Sequence, residues 1–544
     1  MRSIDFTGYK VVAYRNRERR IPVDQFPAMI TAAFVLGLGV RFVGLPPLVG
    51  FLLAGFGLNL AGYVSTPALE RAADLGVTVL LFTIGLKLRV RTLLEPAVWA
   101  GATIHMALTV VLFGLLLLAL PFGILGSLDL ATAALIAFAL SFSSTVFAVK
   151  VFEGQGQSAS LHARTAIGIL IMQDVVAVIF LAASKGEMPS PWAFALLALI
   201  PGRHLLKWLM ERSGHGELLL LFGIMLTFAG YGVFEGVNLK GDLGALIVGM
   251  LVSDHPKAKE MAGLLMSFKD LFLVGFFLSI GLSGIPSLPD VGIALLLVAL
   301  VPIKVALFFG ILTRFHLRAR TSMMTSLSLA SYSEFGLIVG AVGVSAGWLS
   351  DQWLMIIAVA VAATFIIASP VNAAAPRIYD RFRSRLLRFQ SDRRLPEERP
   401  VYVPKAEVLI LGMGRVGTGT YDALVGDLGD RVAGVDVDPD TVQRHVDKGR
   451  NVVRGDPTDL DFCERVINEG KLKRAMLALP NHQANLVAAS ELHSLKNKFD
   501  LVVTATAKHD DQVRELEENG VDAAFNLYAE AGQGYADFVR DTLD

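Results

Sequence analysis

The sequence predicts two parts: a polytopic α-helical membrane domain of about 13 spans, folded as an inverted repeat with crossed discontinuous helices, and after it an α/β Rossmann-like domain. Three observations lead there. Of 544 residues, 53% are hydrophobic and only 18% charged, too little charge for a soluble chain of this length. The apolar residues crowd into segments between 27 and 373, whereas 400–544 has the mixed composition of a soluble domain. Finally, hydroxyl-rich runs interrupt one apolar segment in each half, Ser141-Phe-Ser-Ser-Thr-Val146 and Ser326-Leu-Ser-Leu-Ala-Ser-Tyr-Ser-Glu-Phe335. Paired interruptions of this kind are expected of unwound, crossing helices, although either run alone also fits close helix packing through small residues.

In order, the expected organisation is a polar tail 1–26, a membrane domain 27–374, a basic amphipathic linker 375–403 and a soluble domain 404–544. The tail lacks the short apolar core and small-residue cleavage site of a signal peptide. Spans are expected at 27–44, 45–63, 72–88, 97–122, 129–152, 165–184, 191–209, 217–234, 241–253, 261–283, 290–313, 321–346 and 352–374. Arg203 and His204 interrupt the seventh, and the ninth is short.

Charges in the loops orient the bundle. Alternate loops carry Lys87, Arg89 and Arg91; Lys150 and Arg164; Lys207 and Arg212; Lys257 and Lys259; then Arg314, Arg318 and Arg320. The intervening loops hold only Arg71, Lys185 and Lys240. By the positive-inside rule the first set is cytoplasmic, which places the C-terminal domain in the cytoplasm and, with an odd number of spans, the N-terminus outside. The tail itself, with Lys10, Arg15, Arg17, Arg19 and Arg20, favours the inside, where one span more or fewer would put it.

Lysine plus arginine equals aspartate plus glutamate, 49 each. The balance averages two unlike parts and says nothing about partners; no nucleic-acid partner is expected. One cysteine, Cys463, excludes intrachain disulfides and multi-cysteine metal sites.

The sixth apolar segment holds Gln173-Asp174 near its middle. A carboxylate at bilayer depth is costly and marks a functional site in a polar cavity, or else a structural helix–helix hydrogen bond. Ser143, Ser144 and Thr145 supply hydroxyls at the first break, and Glu334 is a second intramembrane carboxylate at the other. Lys304, deep in the eleventh span, is expected either to pair with Asp174 when no cation is bound or to be structural. Gln173 offers an oxygen but no proton. With Asp174 as the sole exchanging acid, one proton trades for one monovalent cation, K+ or Na+, and turnover is electroneutral. The empty charged carboxylate resists crossing the apolar barrier between two access states, whereas a bound proton or cation lowers that penalty and couples the flows.

Past the bundle, the basic run 375–389 is expected to lie on anionic lipid headgroups. Residues 407–411 read as a strand, followed by Gly412-Met-Gly414-Arg415-Val416-Gly417 opening a helix. A second strand, 431–436, ends in Asp436, and a third, 451–456, ends in Asp456. The spacing suits a phosphate at the helix N-terminus, Asp436 on the ribose hydroxyls of an adenine nucleotide and Asp456 on the same crevice. Alternation continues through 474–480 and 501–507. No catalytic cysteine or histidine pairing accompanies these strands, and His482 and His509 read as lone surface residues. The domain therefore reads as a regulator that biases a transporter's conformations.

Together these motifs resemble the cation:proton antiporter-2 family, specifically Kef-type potassium efflux systems with an RCK (TrkA-N) domain. The resemblance runs over about residues 27–535 and is carried by Leu45-Pro-Pro-Leu-Val-Gly, Ala73-Asp-Leu-Gly-Val, Ser143-Ser-Thr145, Gln173-Asp174, Phe276-Phe277, Ser333-Glu334-Phe335, the glycine set, Asp436-Val-Asp-Pro439 and Gly455-Asp456. It implies K+/H+ or Na+/H+ exchange at Asp174, a homodimer in a bacterial inner membrane, and AMP or NAD(H) on the cytoplasmic domain. Departures are Gly85-Leu-Lys87 in place of Gly-Leu-Glu, and Thr506-Ala-Lys508 where glutathione-gated members carry Arg-x-Arg. The loop Ser253-Asp-His-Pro-Lys257 also has fewer acids than that subgroup's. Glutathione control is therefore not expected. Two rivals remain at this point. An RCK-gated channel would need a filter ring of backbone carbonyls, and no Thr-Val-Gly-Tyr-Gly-like loop occurs in the sequence. A membrane-anchored NAD(P)-dependent oxidoreductase would need catalytic groups that the chain lacks.

Overall fold

A computed structural model describes residues 25–42, 47–87, 94–119, 128–155, 157, 160–184, 190–239, 241–282, 284–395, 398, 406–469, 472–496 and 501–542. The tail up to residue 24, Arg89, Arg91, Lys185, Lys240 and the linker positions 399–403 lie outside them, so the expectations placed there are not addressed.

The first half comprises α1 (Gln25–Phe42), α2 (Pro47–Leu60), α3 (Pro67–Lys87), α4 (Pro96–Ala119), α5 (Leu130–Ser141), α6 (Thr145–Gly154) and α7 (Leu161–Ser184). A 3-10 turn, Pro191–Ala198, leads into α8 (Leu199–Arg212), then α9 (Glu217–Glu235), α10 (Gly241–Val252) and α11 (Ala258–Leu282). The bundle ends with α12 (Leu288–Val298), α13 (Val301–Arg314), α14 (Ala319–Ser328), α15 (Glu334–Ser345) and α16 (Asp351–Ala373).

Each expected apolar segment is occupied by one helix or by two in tandem. Seven among the described residues, from Gln25–Phe42 to Asp351–Ala373, are long and apolar enough to cross a membrane by length and composition. Val49–Leu60, Leu243–Val252 and Glu334–Ser345 are shorter apolar helices. The expected interruptions are real: α5 and α6 are separated by residues 142–144, and α14 and α15 by residues 329–333. Asp129 caps α5, accepting from the Thr132 N–H at 3.2 Å, and Ser333 caps α15 in the same way, accepting from Phe335 N–H at 3.1 Å.

The largest core gathers around these breaks, with Phe113, Leu140, Phe142, Phe147, Tyr332 and Phe365 all buried. Helix α15 packs hard on α5. A Cβ added to Gly336 would stand 2.3 Å from the Ala139 carbonyl oxygen, so only glycine allows this approach.

Basic helix α17 (Ala375–Leu386) follows α16. Ala375 and Tyr379 pack on Phe309, Ala319, Met324 and Leu327, while Arg381, Arg383 and Arg385 are exposed.

The soluble domain is a doubly wound sheet of β1 (Val408–Leu411), β2 (Val432–Asp436), β3 (Val452–Arg454), β4 (Arg474–Leu477), β5 (Val502–Ala507) and β6 (Ala523–Asn526). Its order is β3-β2-β1-β4-β5-β6, every pair parallel. Helices α18 (Arg415–Leu428), α19 (Pro439–Val446), α20 (Leu460–Glu469), α21 (His482–Lys496), α22 (Asp510–Glu518) and α23 (Leu527–Asp541) complete it. Separate cores fill the two sheet faces, which is why β1 is buried at every residue. The five strands expected from the sequence are present; β6 was not expected.

Gly336→Ala should lower thermal stability by about 1–3 kcal/mol, because α15 must back away from a carbonyl. Gly310→Ala, with nothing within 4 Å of the added Cβ, should leave the melting midpoint in detergent unchanged. Equal midpoints would contradict the packing described.

Candidate functional site

A broken helix leaves carbonyls at one end and N–H groups at the other, where lipid offers no replacement partners. Two side chains satisfy them here. Lys304 on α13 is fully buried. Its Nζ donates to the carbonyls of Leu140 at 3.3 Å, Phe142 at 2.6 Å and Ser331 at 3.1 Å. One ammonium thus sits at the C-terminal ends of α5 and α14 together, where the helix dipoles favour positive charge. It also lies 5.2 Å from the centre of the Tyr332 ring. Tyr332 is itself fixed, its hydroxyl donating to the Leu297 carbonyl at 2.6 Å and its N–H to Thr364 Oγ1 at 3.1 Å.

Gln173 staples the first break. Its Oε1 accepts from Ser143 N–H at 2.9 Å and its Nε2 donates to the Ser141 carbonyl at 3.3 Å.

Acids occupy the opposite helix ends. Glu334 is the first residue of α15 and is buried; its Oε2 accepts from Ser144 Oγ at 3.0 Å and Ser333 Oγ at 3.4 Å. Ser144 in turn accepts from Phe147 N–H at 3.2 Å, so one hydroxyl joins the two breaks. Asp174 is 1% exposed, and its Oδ2 accepts from Thr145 Oγ1 at 3.3 Å, the first residue of α6. The Asp174 and Glu334 carboxylates are near enough to interact electrostatically. Positive charge at the C-terminal ends and negative charge at the N-terminal ends is the pattern that the dipoles of crossed half-helices favour.

All seven expected residues, Ser143, Ser144, Thr145, Gln173, Asp174, Lys304 and Glu334, come together at the two breaks. Two expectations about their partners change. Lys304 contacts backbone carbonyls rather than Asp174, because the broken helix ends supply acceptors nearer than the carboxylate. Gln173 Oε1, expected as a cation ligand, is engaged by the Ser143 amide. The Ser143 hydroxyl, by contrast, is buried with no hydrogen-bond partner among the described residues, two positions before the Thr145 that bonds Asp174. Tyr332 and Thr364 were missed. Tyr332 stands inside the hydroxyl-rich run, but nothing in that run shows that its ring lies beside Lys304.

In the soluble domain, Gly412 and Gly414 lie in the turn between β1 and α18, and Arg415, Val416 and Gly417 open α18 itself. A Cβ on Gly417 would stand 1.8 Å from the Gly412 carbonyl oxygen, so the tight strand-to-helix turn requires glycine there. Asp436 at the end of β2 accepts from Met413 N–H and Asp438 N–H, both at 2.9 Å. It borders a cavity of about 520 Å³ with Gly414, Arg415, Arg444, Lys448 and Arg450. An acid at a strand end, a helix N-terminus and basic side chains suit a ribose and an attached phosphate. Asp456 does not join them. It lines a second, narrow cavity of about 80 Å³ facing the membrane domain, and its carboxylate accepts from Thr458 N–H and Oγ1 at 2.9 and 2.6 Å. Burial pushes the Asp456 carboxyl up, partly offset by those hydrogen bonds. The expectation of one shared crevice is corrected, because β3 lies at the sheet edge and its loop turns toward the bundle.

The chain belongs to the sodium/hydrogen exchanger family, whose transmembrane model matches residues 29–373. A TrkA-N domain model matches residues 408–527, and together they bear out the resemblance to Kef-type antiporters with an RCK domain. It is similar to the glutathione-regulated potassium-efflux system protein KefC of Salmonella schwarzengrund (strain CVM19633), 28% identical over 523 residues, 90% of this chain and 80% of the relative. KefC of Shigella flexneri serotype 5b (strain 8401) is 27% identical over 522 residues, with the same coverage. The TrkA-N domain of the Escherichia coli inner membrane protein ybaL aligns with 25% of this chain and 98% of its own length, at 20% identity and a TM-score of 0.22. The chain is thus a secondary transporter rather than an enzyme, a multi-pass inner-membrane protein with its TrkA-N domain in the cytoplasm.

Lys304→Met leaves three buried carbonyls without their donor, at about 1–3 kcal/mol each. The variant should melt well below the wild type in detergent; an unchanged midpoint would show that the ammonium is not what holds the breaks.

Proposed function

We propose that the chain exchanges K+ for protons, one for one and without net charge movement, at Asp174, and that an adenine nucleotide on the TrkA-N domain regulates it. The observation that carries the exchange is the setting of Asp174: buried, bonded only to Thr145, and with no basic partner among the described residues. Lys304 is committed to carbonyls and Glu334 to the hydroxyls of Ser144 and Ser333, so Asp174 is the acid left to alternate between proton and cation. Thr145 and the unpaired Ser143 hydroxyl supply neutral oxygens. A carboxylate with a few such oxygens binds a monovalent cation, and protonation removes the charge that holds it. Potassium as the cation follows the potassium-efflux relatives.

The regulatory ligand is AMP or NAD(H), held by the loop Gly412–Gly417 with Asp436 on the ribose. Glutathione is not part of this reading, since Thr506-Ala-Lys508 lacks the two arginines. The domain bounds are taken as 27–374 for the exchanger, 375–403 for the linker and 404–544 for the regulatory domain. Exposed arginines on α17 support lipid headgroup contact. The homodimer is supported by the exposed aromatic face of α23, where Tyr535 and Phe538 are 70% and 64% exposed.

Asp174→Asn in proteoliposomes should reduce K+-dependent proton movement to the level of empty vesicles while the melting midpoint is kept. Retained exchange would remove Asp174 from the mechanism. Asp436→Ala should weaken AMP or NADH binding to the full-length protein roughly tenfold or more, the loss expected of one charge-assisted hydrogen bond. Calorimetry reads this directly, and an unchanged titration would place the nucleotide elsewhere.

A further inference from the structure

The narrow cavity that Asp456 lines is also lined by an ionic cluster joining the two domains. Arg318, at the N-terminal boundary of α14, gives its backbone N–H and its Nε to Glu398 Oε2 at 2.9 and 2.8 Å. Its other guanidinium nitrogen reaches Asp459 Oδ2 at 2.7 Å. Arg320, two residues on, contacts Asp459 Oδ1 at 3.1 Å and donates to the Thr458 carbonyl at 3.4 Å. Glu398 and Asp459 are each 3% exposed. A carboxylate held between two guanidiniums out of water is costly to break, because removing one partner strands a buried charge.

What each end attaches to gives the cluster its meaning. On the membrane side it grips the first turn of α14. That helix is about 15 Å long at its ten residues, and the break after it supplies the Ser331 carbonyl to Lys304 and then Glu334. On the soluble side Asp459 follows Asp456 in the loop after β3, with Asp459 N–H bonded to the Asp456 carbonyl at 3.0 Å. Strand β3 pairs with β2 so that Arg454 lies opposite Asp436, and Arg454 Nε reaches the Val437 carbonyl at 3.4 Å. Asp436 therefore faces the nucleotide cavity while its neighbour Val437 lines the interdomain one. The loop 253–257 is tied within the membrane domain instead. His255 pairs with Glu211 at 3.0 Å, and Lys257 Nζ donates to the Glu211 carbonyl at 2.7 Å.

We propose that Arg318, Arg320, Glu398 and Asp459 form the contact through which the TrkA-N domain sets the position of α14, and with it the second broken crossing beside the ion site. The nucleotide arm of this proposal rests on the regulation proposed above; the mechanical arm does not.

The test measures K+-dependent proton movement by the full-length protein in proteoliposomes, without nucleotide and with AMP or NADH, for Arg320→Gln, Asp459→Asn and both together. Each single variant should shift the nucleotide-free rate roughly fivefold or more and reduce the nucleotide effect by a similar factor. The double variant should match Asp459→Asn alone, because that change already breaks the contact Arg320 makes with the same carboxylate. Arg320→Lys keeps the charge but loses the fork, should give a smaller shift of the same sign, and serves if the neutral variants do not fold. Wild-type rates and responses in the single variants, or effects that simply add, would overturn the proposal. A wild type indifferent to nucleotide, with rates still shifted in the variants, would sink the nucleotide regulation and leave the mechanical contact standing.

Discussion

One ammonium at the meeting point of two broken helices is the constraint on which the transport site depends. Breaking a helix inside a membrane exposes backbone groups that lipid cannot satisfy, and doing so twice at one place compounds the cost. Lys304 meets that cost for the carbonyl ends of both half-helices with a single side chain. Gln173 and Ser144 then fix the amide ends and join the breaks to each other. With the helix ends satisfied internally, Asp174 is left with one hydroxyl partner. The scaffold's charges are spent on the scaffold, and the exchanging acid is kept out of it.

This division explains why three buried charges and an amide, which look interchangeable as candidate ligands, do different work. Glu334 begins a helix and is bonded to the hydroxyls of Ser144 and Ser333; Lys304 ends two; Gln173 bridges a gap. Asp174, beside Gln173 on the unbroken helix α7, faces a break without being needed to hold it. A group with that freedom can change its protonation or its bound cation without unravelling its surroundings.

Much of this arrangement was legible in the chain. Asp174 and Glu334 stood out because carboxylates within apolar runs are rare, and the two breaks because their hydroxyl-rich stretches interrupt otherwise apolar segments. The glycine set and Asp436 marked the strand-turn-helix of the soluble domain for the same reason: the chemistry is local in sequence. What escaped was non-local. The partners of Lys304 are backbone carbonyls, which every residue carries, so no side-chain pattern announces them. Arg318 and Arg320 looked like ordinary cytoplasmic loop charges, and the domain contact they make depends on Asp459, 139 positions after Arg320, which only the fold brings near. In sequence, Asp456 ends its strand as Asp436 ends β2, which suggests the same crevice, but the loop after edge strand β3 turns to the other cavity.

The account stands or falls on Asp174 being the only group that trades its proton for the cation. Counting protons released per K+ bound, by unbuffered titration of the purified full-length protein, tests this most directly. One proton per ion is predicted. A value near two would bring Glu334 into the exchange, and a value near zero would mean that cation and proton do not compete for a shared site.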